Sequence, residues 1–223
     1  MEVLAPLMFV AFFLFVIAAM IWSFKAEKKR NEDLRQVAED MGLQYLEQET
    51  GAQFQSLDFV STSKLFNRGR ARRFRNMIQG QTDDVSIYLF DYYFTTGSGK
   101  RRRNHRQTVA CLSAPNLALP QFAMRPQGAI LDAIGRSLGG QDIDFDSHPD
   151  FSRMFVLQGT DEMTIRDHFQ PAVLEFFEQH AGISVEGLGN GLFFYRHNRR
   201  VPPDGMRELL SQAYEVFAIF SRK

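Results

Sequence analysis

Cysteine is almost absent from this chain: Cys111 stands alone among 223 residues, which excludes an intrachain disulfide framework and fits a reducing compartment. Net charge is lacking as well, with 26 basic against 26 acidic side chains. The charges are nevertheless unevenly spread, since residues 1–125 hold 17 basic and 12 acidic groups and the remainder 9 and 14. Metal-ligand spacing is missing: His105, His148, His168, His180 and His197 show no paired arrangement, so zinc is not supported. Asp142, Asp144 and Asp146 open like a calcium loop, but Ser147 stands where the turn needs glycine and Arg153 where a bidentate glutamate belongs. Phosphate-loop chemistry fails in the same way. Gly97-Ser98-Gly99-Lys100 lacks both the earlier glycine and a following Ser or Thr, and Gly187, Gly189 and Gly191 lack the helix that would receive a pyrophosphate. Both glycine runs read as turns, and neither a cofactor nor a metal is expected. No nucleic-acid-binding module is recognisable, so no nucleic acid is expected as partner.

What is present begins with residues 3–24, 22 residues without an ionisable side chain, followed at once by Lys25, Lys28, Lys29 and Arg30. A helix of that length rises far enough to cross a hydrocarbon core of about 30 Å. The basic flank predicts a single-pass inner-membrane protein with its C-terminal part cytoplasmic. The division expected is a transmembrane anchor over 1–24, a juxtamembrane helix over 25–42 and a cytosolic α+β domain over 43–223. Seventeen of the 22 phenylalanines fall after residue 24, which argues for a large core and against disorder.

Leu34, Val37, Ala38 and Met41 recur at helical spacing and Gly42 follows as a stop. Strands are expected over 43–46, 74–80, 85–94, 106–112, 117–124 and 154–158, and a hairpin over 183–196; residues 54–66 are ambiguous. The densest strand is VSIYLFDYYF, residues 85–94, and its partner 106–112 lies across a basic, glycine-containing tip. Helices are expected over 129–138, on either side of Pro171, which breaks an apolar stripe, and from Pro203 to about Phe220.

Two features carry functional weight. Strand parity puts Asp91 on a face with Val85, Ile87, Leu89 and Tyr93, so the carboxylate must be paired; Arg73 or Arg75 is the expected partner. Pairing for structure is the favoured role, with binding or catalysis as the rival. The second feature is basic clustering: residues 64–75 hold six cations and no acid, and residues 100–106 hold five. Arg68, Arg70, Arg72, Arg73, Lys100, Arg101, Arg102 and Arg103 are the candidate binding residues, facing anionic lipid head groups or a protein partner. Solvated loop charge competes with that reading. Cys111, between Ala110 and Leu112, reads as a small buried hydrophobe.

Leu65-Phe66-Asn67-Arg68-Gly69, residues 76–80, the run from Phe90 to Lys100, Gln107-Thr108-Val109, His148-Pro149-Asp150-Phe151-Ser152 and Val185-Glu186-Gly187 together resemble a group of uncharacterised bacterial single-span membrane proteins with a cytosolic domain of unknown function. That resemblance implies location, not activity. The expected fold is α+β, an N-terminal transmembrane helix followed by an antiparallel-sheet domain with packed helices, with a pleckstrin-like barrel as the alternative. The expected function is a membrane-anchored binding or scaffold module; the alternative is a hydrolase-like enzyme using Asp91 with His105 or His148.

Overall fold

The computed structural model describes residues 4–46, 54, 57–82, 84–128 and 142–221. The chain opens with one long helix, α1 (Leu4–Asp40), whose last turns bury Leu34 and Ala38 against the sheet. Gly42 ends it with φ +70°, a conformation that disfavours any residue with a Cβ. The expected membrane crossing is overturned, and with it the single-pass inner-membrane location and the cytoplasmic C-terminal domain: among the described residues no helix is long and apolar enough to cross a membrane. The apolar run continues without a break into charged turns that dock on the sheet, so the anchor and juxtamembrane helix read separately from the sequence are one element. Phe12, Phe13, Phe15, Ile21, Trp22 and Phe24 of its first half are exposed.

Among the described residues eight strands follow, interspersed with helices: β1 (Gln44–Leu46), α2 (Asp58–Ser61), β2 (Arg70–Thr82), β3 (Val85–Thr96), β4 (Arg103–Ser113), β5 (Leu119–Pro126), α3 (Pro149–Met154), β6 (Phe155–Gly159), α4 (Glu162–His168), α5 (Pro171–Glu178), β7 (Ser184–Gly189), β8 (Gly191–Tyr195) and α6 (Met206–Ser221). They form one sheet in the order β1-β2-β3-β4-β8-β7-β5-β6, with every neighbouring pair antiparallel. The sheet is open, so the fold is α+β without the pleckstrin-like barrel. Pro171 sits in the first turn of α5, where its missing N–H costs nothing, and this divides the apolar stripe into two helices as the sequence predicts. The helix expected over 129–138 lies outside the described residues. Helix α3 went unforeseen because only six residues form it, with Pro149 setting its first turn.

Alternation along the strands sorts the core into two layers. Ile78, Ile87, Leu89, Ala110, Leu112 and Phe194 face the helices, where Leu209, Ala213, Val216 and Phe217 of α6 cover them. Leu210 on the same helix is half-buried at the margin. The opposite face carries an aromatic layer of Phe54, Phe66, Phe74, Phe90, Tyr92 and Phe193, with Phe66 edge-on to Tyr92 at 5.1 Å and to Phe193 at 5.1 Å. Cys111 lies fully buried in this layer, and desolvation pushes its thiol well up. The glycine run after residue 186 serves packing as well as turning. A Cβ on Gly187 would sit 2.3 Å from the Phe122 ring, and one on Gly191 would sit 2.3 Å from that of Phe59.

Strand β2 is irregular. Its register against β3 slips between Arg70 and Arg73 and again between Arg75 and Ile78, and Ala71 (φ +52°) and Asn76 (φ +54°) adopt left-handed backbone at these two bulges. On its outer side, among the described residues, β1 pairs with Met77, Ile78 and Gln79.

Candidate functional site

Asp91 is wholly buried at the centre of the helix-covered face. Its expected partners Arg73 and Arg75 do not reach it. Arg30 from α1 instead donates from Nε to Oδ2 at 3.1 Å and from Nη2 to Oδ1 at 3.0 Å, while Arg200 donates from Nε to Oδ2 at 2.9 Å. Asn76 Nδ2 (2.8 Å) and Thr108 Oγ1 (2.7 Å) complete the shell, and Thr108 Oγ1 in turn accepts from the Val201 amide at 2.8 Å. Arg75 is opposite Asp91 in register, but its guanidinium turns over the Tyr93 ring at 5.9 Å.

Glu27, one helical turn before Arg30, accepts from Arg200 Nη1 at 3.0 Å. Burial pushes its carboxyl up, but the Arg200 pairing, Asn76 and Arg30 outweigh that and leave it below its ordinary range. Two arginines and two carboxylates therefore balance in one cluster, which ties α1 to β2, β3, β4 and the segment leading into α6. The bulge at Asn76 has a purpose here: left-handed backbone aims its amide at Asp91 while Tyr45 Oη donates to its carbonyl at 3.1 Å.

The enzyme alternative finds no geometric support. Five donor contacts from four side chains occupy the Asp91 carboxylate, and neither histidine is among them. His105 stacks on Phe94 at 4.6 Å and bonds Thr96 through Nε2 (2.7 Å) and Asn198 through Nδ1 (3.0 Å). His148 bonds its neighbour Ser147 at 3.0 Å. Among the described residues, no group of three or more His, Cys, Asp or Glu could hold a metal ion, and Asp142 Oδ1 accepts from the Leu157 amide at 2.8 Å.

The basic clusters separate on folding. Arg68 is only 8 % exposed and pairs with the buried Glu186 at 3.1 Å; Glu186 also accepts from Tyr195 Oη at 3.0 Å and from the Leu65 amide at 3.0 Å. Arg72 is turned by the bulge to the far face and donates to the Phe66 carbonyl at 2.7 Å. Lys100 and Arg101 form an exposed helical turn at the hairpin tip, with Arg70 exposed on the strand beyond. Arg73 and Arg102, by contrast, converge with Arg75 and Arg106 on a groove of ≈ 640 Å³ floored by Tyr93 and Thr95, and among the described residues no carboxylate lines it.

Register explains the convergence. Arg73, Tyr93 and Arg106 are cross-strand partners on β2, β3 and β4, so their side chains rise from one face in a row. Arg75 and Arg106 belong to the two basic clusters but not to the candidate binding residues named from them, because the signal that singles them out lies in alternation plus register; parity along β2 groups Arg73 with Arg75 against Phe74. Tyr93 is desolvated and near the Asp91 charge, which pushes its phenol up to about 12 and keeps the hydroxyl protonated.

His197, beside His105 at 5.7 Å between ring centroids, is held neutral. Burial, then the charge of His105 and the arginines nearby, pulls it down to about 4. The unfolded chain therefore takes up a proton that the folded state refuses as pH falls from about 6.5 to about 4, and stability is lost across that window. Below it no further loss comes from this group. The wild type is expected to show a steeper decline than His197→Phe in urea midpoints over that range. The difference stays below about 1.4 kcal/mol per pH unit, the ceiling that a single proton sets, and the partial contact of the ring with solvent lowers it further. Equal slopes would remove His197 as the cause.

Fold and groove together define an α+β module in which an open antiparallel sheet carries a long docked helix and a basic groove on the same face. No protein-family model and no curated protein sequence matches the chain. Among solved structures it is similar to the mycobacterial trehalose monomycolate transport factor A, TtfA, with a TM-score of 0.57 and 13 % identity over 86 % of this chain and 94 % of that one. At that identity the likeness shows the fold.

Proposed function

We propose that this protein is a binding or scaffold module whose recognition surface is the groove over Tyr93 and whose partner presents anionic groups. The observation that carries the reading is the convergence of Arg73, Arg75, Arg102 and Arg106 on one groove with no carboxylate among the described residues that line it. Cations placed together without acidic partners repel one another, and an incoming anion relieves that repulsion. The central cluster around Asp91 supports the same role from beneath. It is charge-balanced and saturated with hydrogen bonds, which suits a rigid platform better than an exchange of protons with substrate. The fold also serves a protein named as a transport factor, which fits a role in binding rather than in chemistry.

Titration of the full chain with polyglutamate tests the reading. Binding is expected at low salt, weakening as ionic strength rises. Arg73→Glu/Arg106→Glu should lower affinity about tenfold or more, because each reversed charge faces the ligand directly. Binding that is indifferent to this double change would overturn the groove as the docking surface.

A further inference from the structure

The groove's geometry favours one kind of anion. We propose that it binds a phosphate group, seated over Tyr93 between Arg73 and Arg106, an inference that rests on the basic groove being the recognition surface. Arg73 and Arg106 stand on strands either side of the one that carries Tyr93, two strand spacings or roughly 10 Å apart at the backbone, so their long side chains can converge above the ring. Guanidinium groups present paired N–H donors in a fixed plane, and a tetrahedral phosphate offers enough terminal oxygens to take a fork from each side at once.

The remaining donors suit the same ligand. Arg75 is held over the Tyr93 ring at 5.9 Å, which limits its freedom before any ligand arrives. Tyr93 keeps its hydroxyl proton, and Thr95 donates to Asn104 Oδ1 at 3.0 Å, a bond that leaves the amide N–H donors of this lining residue unused. Charge points the same way. Four cations with no carboxylate among the described lining residues are better matched by a dianion than by a single carboxylate, and ≈ 640 Å³ exceeds what a bare phosphate fills, leaving room for the group that bears it. That bearer is either a soluble phosphomonoester or a phospholipid head group.

The test uses the full chain with two probes, glycerol phosphate in solution and phosphatidic acid in phosphatidylcholine vesicles, with binding to phosphatidylcholine alone subtracted. Arg73→Gln/Arg106→Gln should weaken binding about tenfold or more, since each lost guanidinium removes charge-assisted bonds. Lys100→Gln/Arg101→Gln, the same change in charge outside the groove, should shift it less than about twofold, as expected of distant screened charges. Unchanged thermal midpoints in both pairs would show that folding is not the cause. Groove-dependent binding of glycerol phosphate identifies a soluble ligand, and groove-dependent binding of the vesicles alone identifies a lipid. Equal losses in the two pairs, or no binding of either probe, overturns the phosphate assignment. If polyglutamate still binds through the groove in that case, the broader reading survives; if that fails too, both fall.

Discussion

Replacing Asp91 by alanine is expected to lower the unfolding free energy by about 3 kcal/mol, the lower end of the cost of removing one partner from a buried ion cluster. The carboxylate has no exposure of its own and answers to Arg30, Arg200, Asn76 and Thr108. The arginines keep 12 % and 20 % of their side chains in solvent, so part of the stranded charge can turn outward, and that holds the cost down. Loss should be felt first where the cluster crosses between elements. Backbone amides around Arg30 in α1 are expected to exchange faster than those of β3 and β4. Arg73→Ala serves as the contrast and should change stability by less than about 0.5 kcal/mol, as exposed sites usually do. A thermal midpoint lowered equally by the two changes would show that Asp91 depends on Arg73 after all.

A larger loss is expected at the second buried pair. Glu186→Ala should cost about 5 kcal/mol, the upper end of the same range, because Arg68 and Glu186 keep only 7 % and 5 % of their side chains exposed and neither can escape to water. The change also takes away the acceptor of the Tyr195 hydroxyl, while the Leu65 amide keeps Ser63 Oγ at 3.1 Å. Burial pulls the Arg68 guanidinium down, but the Glu186 charge beside it, with Tyr195, outweighs that and leaves it raised, so removing Glu186 takes away the main support for that cation. Arg68→Met/Glu186→Leu should recover most of the loss, since apolar side chains need no partner. Urea denaturation of the three proteins checks this; a double variant as unstable as Glu186→Ala would mean that packing, not stranded charge, sets the cost.

These two centres also mark how far the sequence could be read. Parity along residues 85–94 correctly sorted Asp91 from the aromatic side, and the need for a partner followed from burial alone. The partner's identity did not follow. Arg30 and Arg200 lie 61 and 109 residues away, and only the docking of α1 and of the segment before α6 brings them in, whereas Arg73 and Arg75 were near in register. Arg68 was counted among binding cations because it belongs to a basic run; the buried glutamate that claims it comes 118 residues later. The strands themselves were legible wherever aromatic and β-branched residues were dense, and α6 was legible from its stripe. Bulges were not, because Ala71 is no natural left-handed residue and announces nothing. The apolar run at the N-terminus misled for a related reason: composition described its surface, but not that the helix continues through Asp40 and is fastened by Glu27 and Arg30.

The arginines along the margin of β2 have a consequence for how copies of this chain meet. Among the described residues β1 lies beside Met77 to Gln79, and no described strand lies beside Arg70 to Arg75; any sheet margin left uncovered is a template on which another chain can polymerise. Four arginines in six positions and a kinked ladder occupy that stretch. Two such margins approaching each other would bring like charge against like charge across mismatched hydrogen bonds, so the residues that favour an anion also guard the sheet against growing into fibres.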